Sequence, residues 1–404
     1  HATVPLIGFQ TKTRLSLALD DLYVPLDAII DRGSRAHDVY DSAQVAEHAK
    51  AEDAQLCREE LALADAFTRA RKLKRRNLVL LGDPGSGKTT HLKQVLLKVI
   101  RDGAESVGLE VGTIPVFLPL QAVRDRKAKL AGLIKEQLEG PAFEMPPGFC
   151  ERLMQHGKLL LLLDGLDEVA DADERAEVSR WITAVGKNLP DATVLVSCRY
   201  AGYTKDAELG GEFLELHLRP LGDEQMRTFV HNWYRLVMRE RLLDEGQAAK
   251  KGKALAEGLL KELARPELTA VARVYEMTRN PLLLTAICLV HHDQGRLPHA
   301  RAKLYEDAID VLLERWRRRQ DKPLLGAADA LSVLRPVAYW MHGERGRRQA
   351  KGEELRKPVA DALEKLRRVD LDAQTFLKEI RDNSGLLTGW GVDEYGFMHL
   401  GFQE

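Results

Sequence analysis

The sequence predicts an α/β domain built on a parallel sheet, followed by a helical region and then a β-hairpin module of winged-helix type. Three observations carry this expectation. From Asn77 to about residue 217, short apolar runs alternate with stretches of helical periodicity. Beyond about residue 218 the strand signals stop. Near the end, Ser384-Gly385-Leu386-Leu387-Thr388 and Tyr395-Gly396-Phe397-Met398-His399 read as two short strands joined by Gly-rich turns.

The strand signals are Leu78 to Leu81, Ile114 to Leu118, Leu159 to Leu163, Thr193 to Ser197 and Phe213 to Leu216. Strands that alternate with helices imply βαβ units and a parallel sheet. Leu92, Val95, Leu96 and Val99 fall at i, i+3, i+4 and i+7, so the helix after the first run should lay one apolar face on that sheet. Residues 1 to 66, with the apolar stretch Leu22-Tyr23-Val24-Pro25-Leu26 and a polar, helix-like tract rich in Ala and Glu, read as a lead-in segment. The expected organisation is therefore 1–66 lead-in, 67–217 α/β domain, 218–297 helical domain and 298–404 winged-helix domain. Breaks at Arg265-Pro266, Asn280-Pro281 and Leu297-Pro298 divide the helical part. In the helix starting near Ala302, Leu304, Ala308, Val311, Leu312 and Trp316 form a stripe, and Arg315 and Arg317 to Arg319 read as a solvated helix end.

Composition narrows the function classes. The 404 residues are 45% hydrophobic and 30% charged, which are globular values, and the net charge of −1 supplies no overall field for nucleic acid or an anionic membrane. Four cysteines stand far apart with no CxxC pair, which fits a reducing, cytoplasmic setting. No apolar run reaches bilayer length. His1 is not an initiator Met, and Gly401-Phe402-Gln403-Glu404 stops without a helix-ending signal, so the chain reads as part of something longer. His291-His292 and Trp233-Tyr234 read as a helix end and a helical core face rather than as a metal or cofactor site.

The chemistry is concentrated after the first strand. Leu78 to Leu81 runs into Gly82-Asp83-Pro84-Gly85-Ser86-Gly87-Lys88-Thr89, followed by Thr90, which fits G-x-x-x-x-G-K-[ST] between a strand and a helix. Glycines let such a turn curl so that successive N–H groups face a phosphate, and the helix behind directs its positive end at the same anion. Lys88 should reach the β and γ phosphates, and Thr89 should ligate Mg²⁺. About 75 residues further on, Leu159 to Leu163 ends in Asp164-Gly165-Leu166-Asp167-Glu168. Asp164 is the expected metal carboxylate. Asp167 or Glu168 is the expected general base, with Glu168 preferred. Thr193 to Ser197 ends in Cys198-Arg199, where Arg199 could sense the γ phosphate or simply pair with an acid. Cys198 reads as a small buried residue rather than a nucleophile. These features predict a P-loop NTPase that binds a nucleoside di- or triphosphate with Mg²⁺; ATP and ADP are what the family resemblance of the same residues implies.

The residues resemble the NACHT branch of the STAND NTPases, regulatory relatives of the AAA+ ATPases. The resemblance rests on Gly82 to Thr89, the doubled acidic motif Asp164 to Glu168, and Ser197-Cys198-Arg199, which looks like sensor 1. It continues through Asn280-Pro281-Leu282-Leu283-Leu284, Leu297-Pro298 to Leu304-Tyr305-Glu306, and Phe397-Met398-His399-Leu400-Gly401-Phe402-Gln403-Glu404, and so covers residues 70 to 404. Leu22 to Leu26 is similar to the lead-in of bacterial NACHT proteins. The resemblance implies an AAA+-like fold in which helical and winged-helix domains follow the nucleotide domain. It also implies that Pro281 contacts the adenine and that His399 hydrogen-bonds the β phosphate of ADP. The expected protein is a slow ATPase switch that opens and forms a homo-oligomer when activated, with effector and sensor domains elsewhere on the full chain and a possible place in antiviral defence. Two alternatives stand beside it: a P-loop motor or kinase-type enzyme, and a winged-helix DNA-binding ATPase. The acidic stretch Gly391-Val392-Asp393-Glu394-Tyr395 weighs against DNA, because a DNA-contacting wing should be basic.

Overall fold

A computed structural model describes residues 3–7, 14–31, 58–120, 130–138, 146–169, 172–242, 244–269, 272–319, 325–343, 347, 349–368, 370–384, 386–391 and 394–403. The chain divides into two units. The first comprises Pro25–Asp83 and Gly87–Arg219, with His1, and the second Ala2–Val24, Pro84–Ser86 and Pro220–Glu404.

A hairpin of β1 (Thr3–Ile7) and β2 (Arg14–Ala18) belongs to the second unit. The first unit holds a seven-stranded sheet of β3 (Asp27–Asp31), β4 (Arg58–Ala62), β5 (Asn77–Leu81), β6 (Ile114–Pro119), β7 (Leu159–Asp164), β8 (Thr193–Cys198) and β9 (Phe213–Leu218). Its order is β4-β3-β9-β5-β8-β7-β6. The pairs from β9 through β6 are all parallel, as the alternation of strands and helices predicts. All five predicted strands form. β5 and β7 are buried along their whole length, and each buried Leu or Val side chain stabilises the sheet by roughly 1.5–3 kcal/mol relative to exposure.

The structure adds to the sheet where the sequence suggested only a lead-in. β3 pairs antiparallel with both β9 and β4, so part of residues 1–66 extends the main sheet. The polar, helix-like tract of that region lies mostly outside the described residues, and its described end, Arg58–Ala62, is a strand.

Register decides where the chemistry falls. Leu81 pairs with Cys198 and with His217, so the carboxyl ends of β5, β8 and β9 are level, and β8 joins β5 to β7. The helix Lys88–Asp102 springs from the end of β5 and buries Leu92, Val95, Leu96 and Val99, as its periodicity predicts.

In the second unit the helices Asp223–Arg241 and Glu245–Leu263 pack along each other. Trp233 and Tyr234 are fully buried, and the Tyr234 hydroxyl hydrogen-bonds His291 Nδ1, so this aromatic pair and His291 belong to a helical core. Pro281 opens the helix Pro281–Gln294 at a position where its missing N–H costs nothing. The helix Arg301–Arg319 carries the Arg run to its end. A terminal module follows. It comprises the helices Ala327–Gly343, Gly352–Lys365 and Ala373–Glu379 with a small sheet of β10 (Ala350–Lys351), β11 (Leu387–Gly391) and β12 (Glu394–Phe397) in the order β10-β12-β11. The β11–β12 hairpin is the one the Gly-rich turns predict.

Candidate functional site

In the first unit, Gly82 and Asp83 leave β5, and Gly87, Lys88, Thr89 and Thr90 start the following helix. Gly87 holds φ +100° at the N-cap, a conformation that L side chains rarely adopt, so the turn needs glycine there. The buried Lys88 directs Nζ to the carbonyl oxygens of Gly82 (2.7 Å) and Asp83 (2.8 Å). Burial pushes the Lys88 ammonium below its usual range, and the Asp167 carboxylate opposes that shift. A cation under such strain gains from a polyphosphate placed beside it.

Thr89 Oγ1 donates to Asp164 Oδ1 at 3.0 Å, so the predicted metal hydroxyl and metal carboxylate meet. Ser197, at the end of β8, donates to the same Oδ1 at 2.6 Å and accepts from Gly165 N–H at 2.9 Å. Burial pushes the Asp164 carboxyl above its ordinary range, and the hydroxyls of Ser197 and Thr89 act against it. A carboxylate held among oxygen donors suits Mg²⁺, which takes one or two protein carboxylates and completes its shell with phosphate and water. Among the described residues no group of three or more His, Cys, Asp and Glu is placed to hold a metal ion.

The two remaining acids of the motif differ. Asp167 is engaged by Arg199 twice, through the backbone N–H (2.9 Å to Oδ1) and through Nε (3.0 Å to Oδ2). Arg199 therefore pairs with an acid in this structure, the plainer of its two expected roles. Glu168 is exposed at the end of the short turn Leu166–Glu168. Cys198 is fully buried, and burial pushes its thiol well up, so it is no nucleophile.

Gly202 is part of the same arrangement and carries no signal in the sequence. A Cβ there would lie 2.3 Å from Asp167 Cβ and 2.7 Å from Asp167 Cα, so the backbone would have to give. Gly202→Ala is expected to destabilise the fold by about 1–3 kcal/mol in denaturant titration and to lower ATP hydrolysis. Unchanged stability would show that Asp167 is not held against Gly202.

In the second unit, Asn280 caps the helix Pro281–Gln294 by accepting from Leu282 N–H (3.0 Å) and Leu283 N–H (3.3 Å). The apex of the glycine-rich turn, Pro84-Gly85-Ser86, belongs to this unit. The Asn280 amide donates to Pro84 O at 2.9 Å, and Leu282 N–H to Gly85 O at 3.3 Å, so Pro281 sits between two residues that hold the apex.

His399 is buried, and its Nδ1 accepts from Gly401 N–H at 3.1 Å. An accepting Nδ1 places the proton of the neutral ring on Nε2. That Nε2 lies 3.5 Å from Glu276 Oε2 and has no hydrogen-bond partner among the described residues.

Two family models match the chain. The NACHT domain covers residues 76–236, and the winged helix-turn-helix domain C-terminal to NACHT covers 301–404. No curated protein matches. Solved structures similar to the chain include the Aeropyrum pernix ORC1 protein in complex with DNA, at 16% identity and TM-score 0.40 over 93% of this chain and 96% of that one. Cdc6p from Pyrobaculum aerophilum matches at 13% identity and TM-score 0.33 over 84% and 88%. A Walker-type ATPase of Pyrococcus abyssi matches at 10% identity and TM-score 0.37 over 92% and 98%. With both models in this order, and with the lysine, hydroxyl and carboxylate assembled as described, the chain belongs to the NACHT-domain P-loop NTPases.

Proposed function

We propose that this NTPase is a slow ATP/ADP switch whose nucleotide state controls opening and homo-oligomerisation. The observation that carries the reading is the junction of Thr89, Asp164 and Ser197 beside the buried Lys88. In this reading Gly82 to Thr90 bind the phosphates and Pro281 contacts the adenine, while Thr89 and Asp164 would hold Mg²⁺, which would supply positive charge to the phosphate oxygens. Glu168 accepts a proton from the attacking water as its oxygen bonds to the γ phosphorus. The bond to the β-phosphate oxygen breaks, leaving ADP and phosphate. Arg199 engages Asp167 through its backbone N–H and its Nε, and the base is assigned to Glu168.

The preference for ADP is assigned to His399. Its buried Nε2 makes no hydrogen bond among the described residues, the Glu276 carboxylate standing 3.5 Å away, and a β-phosphate oxygen would supply a closer acceptor. A ligand moves a two-state equilibrium only through its differential affinity, and this donor is a source of such a difference. His399→Ala is expected to release ADP about tenfold faster, as lost hydrogen bonds to charged groups cost roughly 1.5–3 kcal/mol, and to raise the oligomeric fraction in light scattering. A variant that stayed monomeric and kept ADP like wild type would remove His399 from the switch. A cytoplasmic protein with a role in antiviral defence fits the family resemblance and is part of the same proposal. No helix among the described residues is long and apolar enough to cross a membrane.

A further inference from the structure

Arg175 lies in the helix Ala172–Asn188 and is only 4% exposed. Among the described residues no carboxylate comes within ion-pair distance of it. Its Nε (3.2 Å) and Nη2 (2.9 Å) both donate to one acceptor, the main-chain carbonyl of Val169. A guanidinium stays charged at any ordinary pH, and burying it against a neutral carbonyl forgoes the attraction that normally offsets desolvation. A purely structural anchor for Val169 would not need a full charge.

The carbonyl it grips belongs to the residue directly after Glu168. The same acidic turn is held at two earlier points, Gly165 by the Ser197 hydroxyl and Asp167 by Arg199. Residues 165 and 167 are thus tied to the end of β8 and residue 169 to the helix Ala172–Asn188, and Glu168 stands between the last two ties. The charge of Arg175 also acts on this neighbourhood, since the Cys198 thiol feels Asp167 and Arg175 in opposite directions.

We propose that Arg175 is a positioning residue for hydrolysis, its buried guanidinium fixing the Val169 carbonyl and through it the turn that presents Glu168. The proposal rests on Glu168 acting as the base. A residue with this role sets the rate of the chemical step and leaves nucleotide affinity alone, because neither Arg175 nor Val169 belongs to the phosphate-binding turn.

The test is a double-mutant cycle of Arg175→Lys and Glu168→Gln in the 404-residue chain. It is read by single-turnover ATP hydrolysis per mole of bound nucleotide, by ADP affinity and by amide hydrogen exchange at residues 166–169. Arg175→Lys keeps the charge but not the two-pronged grip, and is expected to slow hydrolysis about 10- to 100-fold, the scale of a small misplacement of a catalytic group. ADP affinity should stay within about twofold, and exchange at 166–169 should rise. In the Glu168→Gln background the same change should cost less than about threefold, because the group it positions is already gone. Arg175→Gln serves in the same cycle should the lysine variant fold poorly. Losses that multiply undiminished across the cycle, or a lowered melting temperature with hydrolysis per bound nucleotide unchanged, overturn the proposal. Full activity of Glu168→Gln alone would instead remove Glu168 as the base, and the exchange data would still report whether Arg175 holds the turn.

Discussion

Lys88→Ala is expected to weaken ATP binding by at least about 100-fold, the cost of removing one partner from a desolvated charge pair. Lys88 is buried against the carbonyls of Gly82 and Asp83, and burial already disfavours its charge. The turn's N–H groups contribute partial charges to the phosphates. The ammonium supplies a full one, in surroundings where little water screens it. Fluorescent-nucleotide titration measures the loss directly, and an unchanged circular dichroism spectrum would separate it from unfolding. An affinity within threefold of wild type would move the nucleotide away from this turn.

Glu168→Gln is expected to lower hydrolysis by about 10²- to 10⁴-fold while leaving nucleotide binding intact, since that is what a general base ordinarily contributes. The amide keeps the shape of the side chain but cannot take the proton from water. Asp167→Asn makes the informative comparison. It loosens the hold on Arg199, so it should disturb the turn and stability together rather than the rate alone. Phosphate release by rapid quench distinguishes the two. Wild-type hydrolysis in Glu168→Gln together with a collapse in Asp167→Asn would exchange their roles.

Legibility in the sequence followed the range of the interactions. Gly82 to Thr89 could be read because the turn is specified by adjacent residues, and Leu159 to Leu163 because an apolar run of that length between turn signals is a buried strand. β3 and β4 could not. Arg58-Glu59-Glu60-Leu61-Ala62 is charged along most of its length, a composition that suits a sheet's outer strand, where charge discourages further pairing, but gives no strand signal by itself. The contrast between Asp167 and Glu168 was also hidden. It depends on Arg199, 32 residues away, which the sequence allowed either to sense phosphate or to pair with an acid. Ser197 and Arg175 were missed for the same reason. Ser197 reads as the last residue of a strand until its register brings it to Asp164, and Arg175 carries no signal of its own in the sequence, its burial being set by how its helix packs.

The central claim is that one turn, with Lys88, Thr89 and Asp164, grips the polyphosphate together with Mg²⁺. Titrating a fluorescent ATP analogue into wild type, Thr89→Ala and Asp164→Asn, each with and without Mg²⁺, tests it most directly. Mg²⁺ should tighten binding to wild type about tenfold or more, as an added charge-neutralising contact does, and should do much less for either variant. Equal tightening by Mg²⁺ in all three proteins would contradict the account.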